Sequence, residues 1–480
     1  MGVPGDWFYG HTKWIDTAGD VVLTELNSRA LASFRAGFTG NVLVPDDAGY
    51  DDARSIYNGM IDRRPSVIAQ CDGVDDVISA IRFGRESGKE IAVRGGGHSA
   101  AGKALTDGGV VIDLRRMHSV AVDPQARTAR VEGGALMSHL DRATQPYGLA
   151  TTGGRVSTTG VAGFTLNGGS GWFERKFGLG CDNLLSAELV TADGEVVSAS
   201  ADSHPELFWA LHGAGGNFGV VTSLTFQLHP LSTVTVISLV WRADAGPDIL
   251  KAYRDFMTSA PDEVGGGFNY VSGPEAPFVP GHLANKLTCS VLITYAGSES
   301  EARDVCAPML KLGHDGEMIV EMPYADLQSM SDLPAGARNY YSAEYLSTFP
   351  DEAADRFSAR AQDMLVPSYS AQTLFALGGA VTNGISDHPI PWRRAEWAVH
   401  PYGMWNNAAD DERVKRWAQN LVADVRPWST GSVYLNWIGD EGDDRIVEGV
   451  GRENYRRLAT IKSQYDPDNV FHLNQNIKPA

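Results

Sequence analysis

Apolar and polar positions between residues 66 and 124 alternate as expected for a small α/β unit. Short apolar runs predict strands at Ser66–Cys71, Ile91–Arg94 and Val110–Leu114. After the first of these, Val74–Arg85 repeats its apolar residues at the spacing of one helical face. A run of glycines follows the second strand, so the chain must make an unusual turn at that point.

The pattern continues through a second α/β block over residues 125–230. Its predicted strands are Arg127–Glu132, Leu185–Thr191, Glu195–Ser200 and Val220–Leu228, and its predicted helices are Leu136–Tyr147 and Leu207–Leu211. The second and third of these strands are predicted to form a hairpin around Ala192-Asp193-Gly194.

Residues 232–440 mix strand and helix patterns in a way typical of an antiparallel sheet covered by helices. The predicted strands are Val234–Trp241, Leu287–Tyr295, Thr373–Leu377, Glu396–His400 and Ser432–Asn436, and the predicted helices are Asp248–Thr258, Glu299–Leu312, Glu352–Leu365 and Asp410–Val425. We therefore predict an α+β protein. Its first domain spans residues 1–231 with a core at about 60–231, its second spans 232–440, and a C-terminal segment, 441–480, returns to the first.

Composition excludes several classes of protein. The net charge of −19 argues against nucleic acid or an anionic membrane as a partner. The chain has no apolar run near the roughly 18 residues that a membrane helix needs, and Met1–Trp7 does not resemble a secretion signal. The four cysteines form no CxxC pair, so we predict no structural metal and a cytoplasmic location.

The first candidate for chemistry is the run Val93-Arg94-Gly95-Gly96-Gly97-His98-Ser99. Three adjacent glycines after a strand give up packing, and a chain tolerates that where its backbone turns sharply or presses against a ligand. Successive backbone N–H groups in such a loop suit an anion such as a diphosphate. A glycine turn with a surface histidine is the alternative interpretation.

A second glycine-rich run, Gly153 to Trp172, mixes glycines with hydroxyl side chains and apolar residues. It is too apolar for a flexible linker and suits close approach to a polar cofactor, although a structural loop at a sheet edge is an alternative. The chain contains no Rossmann fingerprint, P-loop, zinc-protease motif or hydrolase elbow. A nucleotide-like site without those fingerprints leaves few common folds.

Five motifs in order resemble the FAD-linked oxidases of the vanillyl-alcohol oxidase superfamily, and most closely the bacterial members of its berberine-bridge-enzyme-like branch. The motifs are Arg94-Gly95-Gly96-Gly97-His98-Ser99; Ser157-Thr158-Thr159-Gly160-Val161-Ala162-Gly163; Gly168-Gly169-Ser170-Gly171-Trp172 with the residues to Leu184; Gly215-Gly216-Asn217-Phe218-Gly219-Val220-Val221; and Asn474-Gln475-Asn476-Ile477. They cover roughly residues 60–230 and 430–480. The resemblance implies the two-part FAD-binding domain of the p-cresol methylhydroxylase type and a separate substrate domain.

The resemblance also implies which residues hold FAD. The first loop would bind the diphosphate, and His98 would be joined covalently to the flavin 8α carbon. Many members have a second link through a cysteine, but Val156 occupies that position here, so a single histidyl link is expected. The implied cofactor-binding residues are Val93, Arg94, Gly95, Gly96, Gly97, His98, Ser99, Gly153, Gly154, Ser157, Thr158, Thr159, Gly160, Gly163, Gly168, Gly169, Gly171, Trp172, Gly219, Val220, Val221, Tyr434, Asn436, Asn474 and Asn476.

Signals on the substrate side are fewer. Tyr434 lies in the segment that resembles the family strand beside the flavin, and it is predicted to accept a proton if its pKa is lowered. Asn383 occupies the position where plant relatives have a catalytic glutamate or glutamine. His400, Tyr402 and Trp405 are further pocket candidates, with core packing as the alternative for each.

These residues predict an FAD-dependent oxidase. Hydride leaves a C–H beside an alcohol or amine of a small molecule, with an aromatic or secondary-metabolite substrate favoured, and dioxygen becomes hydrogen peroxide. Alternatives are a dehydrogenase with another acceptor, a carbohydrate oxidase, and a flavin-carrying binding protein without turnover. A molybdenum-type dehydrogenase subunit is disfavoured, since no iron–sulfur cysteine pattern is present.

Overall fold

The computed structural model describes residues 28–384 and 387–480. The described residues 28–38, which contain helix α1 (Ser28–Ala36), belong to one unit. Residues 39–480 form a second unit that contains every described sheet. The prediction made for Met1–Trp7 lies outside the described residues.

The helices of the second unit are mostly short. They are α2 (Tyr50–Arg54), α3 (Val74–Glu86), α4 (Met137–Thr144), α5 (Val161–Leu166), α6 (Glu174–Phe177), α7 (Pro205–Ala210), α8 (Gly246–Met257), α9 (Glu299–Val305), α10 (Ala307–Leu310), α11 (Tyr324–Met330), α12 (Asp351–Arg360), α13 (Ala380–Asn383), α14 (Asp411–Val425), α15 (Asp443–Val450) and α16 (Arg452–Tyr465). In the described residues no helix is both long enough and apolar enough to cross a membrane.

The first sheet presents the first glycine loop at the end of a strand. Its strands are β1 (Asn41–Leu43), β2 (Val67–Gln70), β3 (Ile91–Arg94) and β4 (Val110–Asp113), in the order β1-β2-β4-β3. Strand β4 is parallel to both of its neighbours, β2 and β3. The predicted strands and the helix between them are confirmed to within one residue at each end.

The second sheet is antiparallel and has the order β5-β6-β10-β8-β9. Along the chain come β5 (Val120–Asp123), β6 (Thr128–Glu132), β7 (Leu149–Ala150), β8 (Leu184–Val190), β9 (Val196–Ser200), β10 (Val220–Gln227) and β11 (His229–Pro230), with β7 and β11 paired separately. The predicted β8–β9 hairpin is confirmed. The predicted helix Leu136–Tyr147 ends earlier as an α-helix, because Pro146 cannot donate a helical hydrogen bond.

The third sheet has eight strands and contains only residues from 233 to 405. They are β12 (Thr233–Arg242), β13 (Val264–Ser272), β14 (Leu287–Tyr295), β15 (Gly316–Pro323), β16 (Arg338–Tyr341), β17 (Glu344–Leu346), β18 (Ala371–Ala376) and β19 (Trp397–Trp405). Alternate side chains such as Phe268, Leu374 and Val399 form one core with helices α8, α12 and α14. The predicted antiparallel sheet covered by helices is confirmed; the domain boundaries stay predictions.

Strands β13, β15, β16 and β17 were not predicted from the pattern. Strand β13 contains Gly265-Gly266-Gly267, which weakens a strand signal. A Cβ at Gly265 would lie 2.0 Å from the carbonyl oxygen of Trp172. The glycine therefore lets this sheet approach the backbone of the second glycine region. Conversely, the predicted strand Ser432–Asn436 is wrong, since that segment turns into a 3-10 helix at Leu435–Trp437.

The C-terminal segment returns to the loop before β10. Lys462 and Asp466 form a fully buried ion pair with a 2.7 Å contact. Lys462 also donates to the carbonyl oxygen of Asn217 at 2.6 Å, and the side-chain oxygen of Asn217 accepts from the Ile477 N–H at 2.8 Å. These contacts hold the segment around Asn474 and Asn476 against the loop that contains Asn217.

Candidate active site

The two glycine loops touch through their backbones. A Cβ at Gly96 would lie 2.3 Å from the backbone nitrogen of Gly160, and a Cβ at Gly160 would lie 2.4 Å from that of Gly96. No side chain fits at either position without moving the partner loop. The Gly96–Gly160 contact therefore places His98 and the residues Ser157 to Thr159 in one site.

His98 lies in a slot between two side chains. Its ring stacks on Tyr57 with centroids 4.1 Å apart, and its Nε2 is 2.9 Å from Oγ1 of Thr158. Burial lowers the pKa of His98 to about 4, so the imidazole is neutral at neutral pH and retains a lone pair. A neutral imidazole is the nucleophilic form.

Arg94 does not point into this site. Its guanidinium donates to the carbonyl oxygens of Ala53 and Ser55, and burial lowers its pKa to about 10. The side chain thus supports the loop from behind, and the prediction that Arg94 binds the cofactor concerns its backbone. Ser99 likewise caps its own turn, with Oγ accepting from the Lys103 N–H. Val93 is half-buried in β3.

The second glycine region folds tightly on itself. A Cβ at Gly171 would lie 2.1 Å from the carbonyl oxygen of Gly153, and Gly168 and Gly169 adopt positive φ angles of 120° and 92°. A Cβ at Gly163 would meet no protein atom within 4 Å, and Gly154 packs against the ring of Phe164. The loop is thus rigid, with open space beside the first turn of α5.

Several buried polar atoms beside these loops have no hydrogen-bond partner among the described residues. They are Nε1 of Trp172, Oγ1 of Thr151, and the side-chain oxygens of Asn474 and Asn476. Buried polar groups in folded proteins are almost always satisfied. One N–H donor, one hydroxyl and two amide oxygens without partners fit a polar cofactor such as FAD, which offers both donors and acceptors.

Four further residues that were predicted to bind the cofactor make contacts within the protein itself. Val221 packs in the core of the second sheet, Val220 is fully buried in β10, and Gly219 keeps a Cβ out of reach of the Val190 carbonyl. Asn436 uses its whole amide on protein, donating to Gly163 and Tyr434 and accepting from Asn167. It positions Tyr434 against α5.

Tyr434 is buried and its pKa is raised, chiefly by burial. Its hydroxyl accepts a 2.9 Å hydrogen bond from the amide of Asn436. Tyr434 was predicted to act as a base only if its pKa were lowered, and this condition is not met. A neutral phenol can still donate a hydrogen bond.

A continuous row of rings joins Tyr434 to His98. Trp437 lies 5.4 Å from Tyr434 and stacks on His400 at 4.3 Å, measured between centroids. Tyr341 stacks on Tyr402 at 4.7 Å, and the Tyr402 hydroxyl is 3.2 Å from that of Tyr57. We call this set the aromatic wall; its members are Tyr57, Tyr341, His400, Tyr402, Tyr434 and Trp437.

Strand alternation decides which candidates reach the wall. His400 and Tyr402 are two residues apart on β19 and share the face of the sheet opposite helices α8, α12 and α14. Trp405 has the opposite parity: it packs in the helix-covered core, and its Nε1 donates to Asp411 at 2.9 Å. Asn383 is exposed at the end of α13. The structure therefore brings the first two into the site and places the other two elsewhere.

Two charged residues of the site were not predicted. Arg155 has its guanidinium 4.3 Å from the ring of Phe375 and donates to the Ser170 and Gly171 carbonyls and to the buried Glu174. Asp332 accepts from the backbone N–H and the hydroxyl of Ser157. The only sequence signal for Arg155 is a lone cation in a glycine-rich run; Asp332 has none.

A metal-like cluster lies apart from the wall. Ligand atoms of Cys181, Asp182 and His388 come within 4.8 Å of one another. The other carboxylate oxygen of Asp182 contacts the Arg393 guanidinium at 2.5 Å. Arginine already compensates the carboxylate charge, so packing accounts for this group.

Comparison with known proteins places the fold in a family. A family described as "FAD binding domain" matches residues 65–200, and one described as "Berberine and berberine like" matches residues 449–478. The (R)-6-hydroxynicotine oxidase of Paenarthrobacter nicotinovorans is 32% identical over 92% of this chain and 97% of its own length. The chain belongs to the berberine-bridge-like FAD-linked oxidoreductases.

Other members of this family agree over nearly the whole length. The uncharacterized FAD-linked oxidoreductase YgaK of Bacillus subtilis is 29% identical over 92% of this chain and 97% of its own. The crystal structure of 6-hydroxy-D-nicotine oxidase from Arthrobacter nicotinovorans superposes with a TM-score of 0.83 at 29% identity, covering 92% and 98% of the two chains. Berberine bridge enzyme from Eschscholzia californica shares the fold, with a TM-score of 0.83 at 22% identity, covering 94% and 99%. The chain is thus an FAD-linked oxidoreductase.

The buried histidine of the wall predicts a pH effect on stability. Burial lowers the pKa of His400 to about 4 from 6.5. At a pH between these two values, His400 is protonated in the unfolded chain and neutral in the folded chain. The free energy of unfolding is therefore highest above pH 6.5. It falls by roughly 3 kcal/mol in all as the pH is lowered toward 4. The melting temperature of His400→Phe, which keeps a ring against Trp437, should fall less between pH 7 and pH 5 than that of the wild type. Parallel curves would contradict this.

Proposed function

We propose that this oxidoreductase is an oxidase that takes hydride from a carbon beside an amine or alcohol of a small, ring-containing molecule and passes the electrons to dioxygen. The observation that carries the proposal is the aromatic wall, a row of packed rings that runs from the His98 slot to Tyr434 and suits contact with a ring-containing molecule. The relative whose name specifies (R)-6-hydroxynicotine as substrate supports a ring-containing amine.

FAD supplies hydride acceptance at its ring and the return of electrons to dioxygen. The protein's own residues bind and orient it: the glycine loops offer backbone N–H groups, and the unpartnered atoms of Trp172 and Asn476 remain available to its polar edge. His98, neutral and held by Thr158, is the proposed site of one covalent link. Val156 in place of a cysteine supports a single link.

His400 is the proposed proton acceptor for the substrate. Its Nδ1 donates to the carbonyl oxygen of Ser342 at 2.9 Å, which leaves the lone pair on Nε2. Burial lowers the pKa of His400 to about 4, so the ring is unprotonated at neutral pH. Tyr434, with a raised pKa, instead donates a hydrogen bond and orients the substrate heteroatom.

Dioxygen is the proposed electron acceptor, and a cytoplasmic location is proposed with it. The resemblance implies that a small residue beside the flavin lets dioxygen reach it, and by position that residue here is Thr159. All four cysteines are free and buried, which is compatible with a reducing compartment.

The oxidase proposal is tested by reoxidation. The flavin is reduced anaerobically with a substrate found by screening alcohols, amines and sugars, and is then mixed with aerated buffer. We expect the oxidised spectrum to return within seconds, and Thr159→Leu to return more slowly. Reoxidation over many minutes would indicate a dehydrogenase; absence of bleaching by every compound would favour a binding protein.

The single covalent link predicts a coloured polypeptide. After acid denaturation and electrophoresis, wild-type protein should fluoresce under ultraviolet light at the position of the chain. His98→Ala removes the proposed nucleophile, so FAD should be released into the supernatant instead. Release of all flavin from the wild type would show that the link is absent.

The roles proposed for His400 and Tyr434 are distinguished by the rates of flavin reduction in two variants. His400→Phe should lower the rate by roughly 10²–10⁴, the range for loss of a general base. Tyr434→Phe removes one neutral hydrogen bond of about 1 kcal/mol and should lower it only several-fold. A larger loss in Tyr434→Phe than in His400→Phe, measured by anaerobic stopped flow, would reverse the two assigned roles.

A further inference from the structure

Helix α4 holds the second glycine region at its later residues. The Met137 N–H donates to the carbonyl oxygen of Thr159 and the Ser138 N–H donates to that of Ser157, each at 2.9 Å. Both N–H groups belong to the first turn of α4, where a helix has no partners of its own for them. Any movement of α4 therefore carries the backbone from Ser157 to Thr159 with it.

Helix α11 holds the same region at its beginning. The Tyr324 hydroxyl accepts from the Gly153 N–H at 3.3 Å and donates to the carbonyl oxygen of Thr151 at 3.4 Å. Gln328 lies one turn later on α11, and a Cβ at Gly153 would lie 2.6 Å from its Nε2. The two helices thus hold the two ends of one stretch, residues 151–159.

Asp141 and Gln328 meet in the interior between the two helices. Asp141, on α4, is 3% exposed, and Gln328, on α11, is wholly buried. Oδ2 of Asp141 and both amide atoms of Gln328 have no hydrogen-bond partner of good geometry among the described residues. Burial raises the pKa of Asp141 to about 8, and the neighbouring Gln328 side chain lowers it in part. The carboxyl is therefore mostly protonated at neutral pH, and its O–H is a donor for an acceptor such as Oε1 of Gln328.

No cation compensates Asp141 within the described residues, since burial and Gln328 account for the whole shift of its pKa. Tyr324 is the titratable group that interacts with it, and burial raises the pKa of this phenol too. The other charged or titratable side chains on the surrounding elements are exposed or bonded to other groups. They are His139 and Arg142 of α4, Asp123 of β5, Arg130 and Glu132 of β6, Tyr147, Arg155, and Asp326 of α11. An ionised Asp141 would be an uncompensated charge in the core.

We propose that Asp141 is a positioning residue whose uncharged carboxyl hydrogen-bonds Gln328, so that α4 and α11 together keep residues 151–159 in the shape that holds the flavin. This role requires bound FAD but neither the covalent link nor a particular substrate. Loss of the proton from Asp141 puts a charge between the two helices, and the glycine region that both of them hold then loosens around the flavin.

The matched variants each keep or remove one property. Asp141→Asn is never charged and keeps a hydrogen-bonding group for Gln328. Asp141→Leu is also uncharged and similar in size, but it cannot form a hydrogen bond. Asp326→Asn removes an exposed acid from α11 and is the control for a change of charge.

The measurement is the visible circular dichroism of the flavin in the holoenzyme between pH 6 and pH 10, which reports the packing around the flavin and needs no substrate. In the wild type and in Asp326→Asn we expect most of the signal to be lost reversibly, with a midpoint near pH 8. Asp141→Asn should keep its signal over this range, and Asp141→Leu should have a weak signal at every pH. Ionisation of the flavin ring itself would appear in all four proteins, so only the differences between them count.

Melting temperatures give a second readout. The pKa of Asp141 is about 8 in the folded chain and 3.8 in the unfolded chain, so between these values the folded chain binds one more proton. The contribution of Asp141 to stability is therefore greatest at low pH and is lost as the pH rises to about 8. The melting temperature of Asp141→Asn should exceed that of the wild type by a margin that grows between pH 6 and pH 8.

Parallel pH profiles of the flavin signal in the wild type and Asp141→Asn would overturn the positioning role, and this comparison does not depend on Asp141→Leu folding. A weak signal in Asp141→Asn at pH 7 would also overturn it, since the charge would then be needed. Equal signals in Asp141→Leu and Asp141→Asn would overturn the hydrogen bond to Gln328. A wild type that binds no flavin would refute the FAD assignment itself, and this role with it.

Discussion

The backbone contact between Gly96 and Gly160 is the constraint on which the site depends. Each glycine occupies space that a methyl group on the other would need, so the two loops can close only as a pair. That closure brings His98, from the first sheet, to Thr158, which precedes α5. The third sheet then completes the site by placing His400 and Tyr402 on the face opposite its covering helices.

Burial sets the protonation of His98 and of two rings in the aromatic wall, His400 and Tyr434. His98 and His400 both have lowered pKa values, and Tyr434 has a raised one, with desolvation the largest cause for each. All three are therefore neutral at neutral pH. A wall of neutral rings suits a planar substrate beside a flavin and explains why the imidazoles, rather than the phenol, are the proposed nucleophile and proton acceptor.

Local pattern was enough to predict three of the four strands of the first sheet, the β8–β9 hairpin and both glycine loops, since each is specified by neighbouring residues. The pattern predicted a strand at Tyr434, but no strand forms there. Its segment is held instead by the hydrogen bond that the Asn436 amide donates to the Gly163 carbonyl in α5. Trp405 was predicted to lie in the pocket. The strand β19 is longer than predicted, and Trp405 lies on its helix-covered face. Asp332 was not predicted as a site residue because its hydrogen-bond partner, Ser157, lies 175 residues away in the sequence. Contacts of that separation carry no mark in a single sequence.

The most direct test of the contact between the two glycine loops is the amount of flavin bound to Gly160→Ala. Gly160 has φ −70° and ψ 127°, angles that alanine adopts freely, so only the contact with Gly96 opposes the new methyl group. Gly313→Ala, where a Cβ meets nothing within 4 Å, is the matched control. The account predicts that purified Gly160→Ala has little bound flavin while Gly313→Ala retains the wild-type amount. Full flavin content and an unchanged melting temperature in Gly160→Ala would contradict it.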